Sequence, residues 1–439
     1  MKIETLRLTN YRAFEELELK FDPRLTVLIA RNGKGKSSIL DAISTNLAAF
    51  LTRLPGVSGS SFKDSDFRVN EFGDKPPYMR VYCRTVEGIE WDRSEKRDKT
   101  KKTQAQIPDG VGLKKLHDFV DTFIDAHNEG KSYELPIFIY YGTGRGVFDV
   151  PQRKSSWGKS FPRYEALTGA LESRTNFKRF VEYFYFLEAE ESRLQKEHRS
   201  FDIEQPELKA IRHSIKRMLP EFSNPRTIKP AGLMFDWQQG DTVKPLKIEQ
   251  LSDGYRTTLA MVMDIAARMA EANPKMEDPL DTRGVVLIDE VDLHLHPEWQ
   301  RDFLPRLTNA FPNTQFIVTT HSPFIIQSVD NGKLIDLDHS STDSCYQPGK
   351  ALSVEDIAEE VMGVEGIQRS AKFNQRMQLA EEYYELLDNG HSPDSEQVKA
   401  VEYRLDEIEE VFGDNPAETA LLKSERRAKS QVVLSGKSQ

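Results

Sequence analysis

The sequence predicts an α/β fold, a mixed sheet with flanking helices built around a phosphate-binding loop. Three observations predict it. Short apolar runs recur at 25–29 (LTVLI), 285–288 (VVLI) and 314–318 (TQFIV), the pattern of strands buried on both faces of a parallel sheet. The glycine-containing segment ARNGKGKSS at 30–38 joins the first run to a helical stretch. The second run ends abruptly in Asp289 and Glu290, and ligands of open α/β sheets collect at the carboxyl ends of such strands.

Composition bounds the answer. A chain of 439 residues has room for two or three domains at roughly 150 residues each. Acids exceed bases by 70 to 60, a net charge of −10, which argues against a surface that coats nucleic acid everywhere but leaves room for a local basic groove. No apolar run approaches the roughly 18 to 20 residues of a membrane span, and MKIETLRLTNYRAF lacks a signal-peptide core. Cys83 and Cys345 are too few for a disulfide framework or a zinc site. These features predict a cytoplasmic protein.

Taking the elements in order, residues 2–9 and 16–21 alternate apolar and polar and read as antiparallel strands, with NYRAF between them. The strand at 25–29, the loop and the amphipathic helix SILDAISTNLAAFL match a P-loop in context as well as in letters. Gly33 and Gly35 let backbone N–H groups turn inward around an anion at a helix N-terminus. Lys36 is placed for the β- and γ-phosphates and Ser37 for Mg²⁺. Arg31, Asn32, Lys34 and Ser38 complete the nucleotide-binding loop. Ala30 departs from the pattern where its first glycine would stand; a methyl group is tolerable there if the backbone is extended.

Residues 78–84 and 88–91 read as a hairpin, and the basic stretch 93–106 reads as a solvated loop in preference to a phosphate-backbone contact. Residues 113–127 predict a helix. A buried strand at 135–141 ends in GTGRG, which either brings Thr143 or Arg145 near the nucleotide or is an ordinary turn. Residues 147–224 read as a short helical insertion, with helices at 177–199 and 206–219. The aromatic stripe Phe177, Phe180, Tyr183, Phe184 is read as core before base-stacking platform.

Strands are expected at 231–237 and 247–250. Ser252, Asp253 and Gly254 then open a long helix whose N-terminus suits a terminal phosphate, or is simply an ordinary cap. After Asp289 and Glu290 comes LHLHP, followed by a helix at 298–310. His294 and His296 lack a third ligand of metal-site type, so a metal reading is set aside. His321, just past the strand at 314–318, is either a γ-phosphate contact or structural. A strand at 333–337 closes the sheet. Residues 341–439 predict charged helices at 354–362, 371–389, 395–412 and 417–429, a region for assembly or partner binding.

ARNGKGKS, LSDGY, VVLIDE, LHLHP and VTTHS follow the order and context of the ABC-type ATPases of the SMC/RecF branch, and the chain resembles that branch over 1–338 apart from the insertion. The resemblance implies an ABC-type head formed by 1–146 and 225–340. It implies a head-to-tail dimer that sandwiches ATP between one subunit's P-loop and the other's Ser252–Asp253–Gly254. In that arrangement Lys36 and Ser37 hold phosphate and Mg²⁺, Asp289 fixes the metal, Glu290 activates water and His321 contacts the γ-phosphate. Arg12 approaches the phosphates, and His294 and His296 lie in the dimer interface. LSDGY stands where the branch has LSGGQ, and the Gln-loop residue is not securely placed, Gln152 being the candidate.

The short insertion is unlike the coiled-coil arms of SMC proteins. Overcoming-lysogenization-defect nucleases carry a Toprim domain, of which Asp336 and Asp338 are the only nearby echo here. The chain looks most similar to the PtuA family of Septu phage-defence systems and its relatives in retron operons. That resemblance implies an ATPase that works with a separate HNH nuclease (PtuB-like), acts against phage or foreign DNA, and does not cut DNA by itself. The alternative is a stand-alone RecF-like DNA-repair ATPase.

Overall fold

A computed structural model describes residues 1–146, 162–173, 177–228, 232–338, 353–363, 371–389 and 391–409. Gln152, the basic aromatic stretch around Trp157 and the helix expected at 417–429 lie outside the described residues.

Strands β1 (Ile3–Tyr11) and β2 (Phe14–Lys20) form the expected antiparallel pair. β3 (Leu25–Ile29), buried throughout, runs through the P-loop into helix α1 (Lys36–Arg53). α1 is not amphipathic in effect. It carries Ile39, Leu40, Ile43, Leu47 and Phe50, all fully buried, and it touches both the central sheet and β4 (Tyr78–Thr85). β4 pairs with β5 (Glu90–Lys96), giving an antiparallel sheet in the order β2-β1-β4-β5.

The basic stretch 93–106 departs from the loop expectation. It finishes β5 and then forms α2 (Lys101–Ala105), which Thr100 caps by accepting the Thr103 N–H. Helix α3 (Lys114–Asn128) precedes β6 (Ile137–Tyr141), again wholly buried.

Helices α4 (Lys178–His198) and α5 (Pro206–Met218) occur where helices were expected. Phe180, Tyr183 and Phe184 are buried in the main core, as the core reading required. The expected limit of the insertion, Asn224, falls inside β7 (Phe222–Ile228), which with β8 (Gly232–Gln239) and β9 (Thr242–Lys247) makes a three-stranded antiparallel sheet. β9 escaped the sequence reading because it is almost entirely exposed and carries no buried alternation; its Pro245 is tolerated because β9 is an edge strand. Residues 248–250, expected as strand, form a single 3₁₀ turn instead.

Helix α6 (Asp253–Ala272) is buried nearly along its whole length. It is tied to the end of β6 by Tyr141, whose hydroxyl donates to Asp264 at 2.7 Å. Arg268 also bonds Asp264, at 3.0 Å, and donates to the Ala166 carbonyl at 2.6 Å.

β10 (Gly284–Ile288), α7 (Pro297–Ala310), β11 (Thr314–Thr319), α8 (Pro323–Gln327) and β12 (Lys333–Asp336) follow. The central sheet is parallel throughout, in the order β12-β3-β11-β10-β6. β11 therefore lies between the P-loop strand and the strand that ends in the two acids. A single turn, α9 (Val354–Asp356), precedes the end of the first compact unit at Met362, past the expected limit at residue 340.

The second unit, 363–439, contains α10 (Ala371–Asp388) and α11 (Glu396–Glu409). They share a small core of Leu379, Tyr383, Leu387, Val398, Val401 and Leu405. Among the described residues no helix is long and apolar enough to cross a membrane.

The tight fit of β10 against β6 supplies a test. A Cβ on Gly284 would sit 2.2 Å from the Ile137 carbonyl oxygen, which as backbone cannot give way. Gly284→Ala should lower stability by about 1–3 kcal/mol, read as a reduced thermal midpoint; an unchanged midpoint would show that the strands have slack.

Candidate functional site

The site is built from the carboxyl ends of β3, β11 and β10. Beyond β3 the loop curls through Gly33 (φ 83°) and Gly35 (φ 94°), a region that residues with a Cβ seldom adopt. At Gly35 a Cβ would also lie 2.5 Å from Phe14 Cζ, so that a side chain there would have to push the half-buried Phe14 ring aside. Ala30 stays out of the positive-φ region, which accommodates its methyl group. Its carbonyl accepts the Lys36 ammonium at 2.8 Å, and the Arg31 carbonyl accepts it at 3.4 Å. Burial lowers the Lys36 pKa, while Asp289, Asp338 and Glu290 act in the opposite direction. That coupling brings the P-loop lysine into the field of the acids after β10. Arg31, Asn32, Gly33, Lys34 and Ser37 are exposed around the cradle.

The acids are held from β11. The Thr319 hydroxyl donates to Asp289 Oδ1 at 2.6 Å and accepts the Glu290 N–H at 2.7 Å. Asp289 is buried, and Glu290 is half-buried in a left-handed conformation, φ 47°. Asp292 accepts from the Thr320 hydroxyl at 2.6 Å and from the His321 N–H at 3.4 Å, setting the backbone of half-buried His321 beside the acids.

A hydroxyl and a carboxylate at the edge of the cradle, Ser37 and Asp289, are hard oxygen donors. That donor set fits Mg²⁺, which keeps several waters and shares phosphate oxygens. The open, glycine-lined cradle with a lysine at its rim likewise fits a nucleotide triphosphate.

Other expected residues have local partners. Arg12 bonds Asp41 at 2.6 Å and Asp66 at 3.0 Å, and lies 3.5 Å from the Ser38 hydroxyl. Ser252 sits at the N-cap of α6 with its side chain making no cap bond, and Asp253 pairs with Arg256 at 2.6 Å. Gly254 is packed against the LHLHP loop: a Cβ there would lie 2.4 Å from the His294 carbonyl oxygen. Tyr255 packs edge-on against Trp299 and Phe222. His294 is exposed with φ 68°, while His296 caps α7 by accepting the Glu298 N–H at 3.4 Å.

Sequence reasoning did not assign roles to Thr319, Asp41 or Asp66. Arg145, expected near the nucleotide or in a plain turn, is buried against the backbone of the two acids. Its Nη1 donates to the Asp289 carbonyl and its Nη2 to the Glu290 carbonyl, each at 2.5 Å. Asp338, noted only as a Toprim echo, accepts the Arg31 N–H at 2.6 Å and faces Lys34 at 3.6 Å. It serves the P-loop.

Fold and site together define a P-loop ATPase head whose ordered motifs are SMC/RecF-like. An AAA-domain family model matches residues 5–223, and a second, described as an AAA domain, putative AbiEii toxin, Type IV TA system, matches 127–327. The chain is 28% identical to the Retron Ec83 probable ATPase of Escherichia coli, over 75% of this chain and 70% of that one. It is 27% identical to the Retron Vc95 probable ATPase of Vibrio cholerae, over 76% and 73%. Septu protein PtuA of Bacillus mycoides is 35% identical over 38% of this chain, a span equal to 23% of PtuA itself. Among curated proteins the chain is thus similar to the retron ATPases over most of its length and to PtuA over a shorter span.

The Thr319 hydroxyl offers a direct test of the site's construction. Thr319→Val keeps the shape but leaves a buried carboxylate oxygen and the Glu290 N–H unpartnered. It should destabilise the fold by about 1–3 kcal/mol in chemical denaturation, and Thr319→Ser should recover most of the loss. Equal stability of the valine variant would contradict the shared hydrogen bond.

Proposed function

We propose that this chain is the ATP-binding and ATP-hydrolysing subunit of an antiphage defence complex. In this reading it assembles with, and controls, a separate HNH nuclease of the PtuB kind through nucleotide-dependent head-to-tail association. The observation that carries it is the placement of Lys36 and the Asp289–Glu290 pair at the ends of strands separated only by β11. The resemblance to retron ATPases over three quarters of the chain supplies the defence context. The chain itself is proposed not to cut DNA.

Phosphoryl transfer needs positioning and charge stabilisation more than covalent chemistry. Lys36 and the N–H groups of the loop from Gly33 to Ser38 bind and orient the phosphates. Mg²⁺, when bound, neutralises phosphate charge, and Ser37 and Asp289 are the residues that would hold it. Glu290 accepts the proton of the attacking water, and His321 contacts the transferred phosphoryl group. The second wall of the site comes from Ser252 and Gly254 of another copy. The absence of a cap bond from Ser252 within its own chain supports that role, and His294 and His296 lie along the same interface. The basic segment ending in α2 is solvated by default.

Glu290→Gln should retain ATP and accumulate as a nucleotide-bound dimer, while Lys36→Ala should lose nucleotide binding and stay in the nucleotide-free state. Size-exclusion profiles with and without ATP check both. Identical profiles for wild type and the two variants would exclude nucleotide-driven association.

A further inference from the structure

The geometry points to Arg145 as a positioning residue for hydrolysis: its buried guanidinium fixes the backbone that aims Glu290. This rests on reading Glu290 as the residue that activates water. No hydrogen bond or ion pair to the Glu290 carboxylate is seen among the described residues, and its backbone, anchored through the N–H to Thr319, sets where the side chain starts. That backbone is left-handed, φ 47°, a conformation that a residue with a long side chain holds only when its surroundings impose it.

The surroundings do so completely. The Asp289 N–H donates to the Tyr141 carbonyl at 2.8 Å, and the Glu290 N–H donates to Thr319 Oγ1 at 2.7 Å. The two carbonyls that remain, on Asp289 and Glu290, accept the two ends of one guanidinium at 2.5 Å each, and the Glu290 carbonyl also accepts the Leu293 N–H at 2.9 Å. The same Nη1 also reaches the Gly142 carbonyl at 3.2 Å, anchoring the fork to its own turn after β6. Arg145 is 2% exposed.

A buried charge spent on main-chain oxygens is an expensive way to cap a loop. Its use fits a place where one planar donor must hold two successive peptide groups at a fixed angle. Lysine, a point charge without a fork, cannot reproduce that. Arg145 touches neither phosphate nor water and acts through the main chain of Asp289 and Glu290; the Asp289 side chain is held separately by Thr319, so the effect on hydrolysis runs through Glu290.

The test uses the full chain with ATP and Mg²⁺, comparing wild type, Arg145→Lys, Glu290→Gln and the double variant. Arg145→Lys should bind a fluorescent ATP analogue as wild type does while kcat falls by on the order of 100-fold, the cost of a misplaced reacting group. In the Glu290→Gln background the same substitution should reduce residual turnover no further. Wild-type kcat in Arg145→Lys, or a fall in hydrolysis that merely follows lost ATP binding, would overturn the inference. If Arg145→Lys does not fold, Arg145→Gln, whose donors sit on a single nitrogen and cannot span the fork, is read by the same criteria. If wild type does not hydrolyse ATP, or Glu290→Gln hydrolyses it at the wild-type rate, the assignment of the base fails instead, and the two failures are told apart.

Discussion

One hydroxyl sets the geometry on which the site depends. Thr319 ends the middle strand of three, and its Oγ1 simultaneously donates to Asp289 and accepts from the Glu290 main chain. The parallel order β3-β11-β10 makes this possible, because it brings the ends of the P-loop strand and the acid strand to either side of Thr319. A register slip of one residue would turn the hydroxyl to the other face of the sheet and separate the acids from their support. The buried apolar residues of β3, β10 and β11 are therefore part of the site's construction as well as the core's.

A second constraint links the helix opened by Ser252 to the loop after the acids. Gly254 lies so close to the His294 carbonyl that no side chain fits, and Tyr255 is wedged between Trp299 and Phe222. The start of α6 and the LHLHP segment are thus one packed block within a chain. In the proposed dimer that block faces the partner's P-loop as a unit, so Asp253 and Tyr255, the departures from LSGGQ, have local work: an ion pair with Arg256 and an aromatic contact.

Much of this was legible in the sequence, for physical reasons that also explain what was not. Strands buried on both faces leave continuous apolar runs, so β3, β10 and β11 could be read directly, and the glycines of the P-loop and the adjacent acids are local signals. β9 was invisible because an exposed edge strand has no periodicity to show. Thr319 and the carboxylates around Arg12 were unassigned, and Arg145 was left between a nucleotide contact and a plain turn, because their partners lie far away in sequence: Arg12 meets Asp41 and Asp66 only after α1 and a long loop have folded back. The resemblance put Arg12 at the phosphates; in the structure its guanidinium is held by those two acids beside Ser38. Asp338 shows the same limit, since an acid after the last strand acquires its P-loop role only through the pairing of β12 with β3.

The central claim is that a working site is shared between two copies of the chain. It is tested most directly by mixing two inactive variants, Lys36→Ala and Ser252→Arg, and measuring ATP hydrolysis by the mixture. A heterodimer of the two contains one site with an intact P-loop from one copy and an intact Ser252–Gly254 segment from the other. Hydrolysis by the mixture well above the sum of the separate variants is the predicted result. A mixture as inactive as its components, with mixed dimers demonstrably formed, would contradict the shared site.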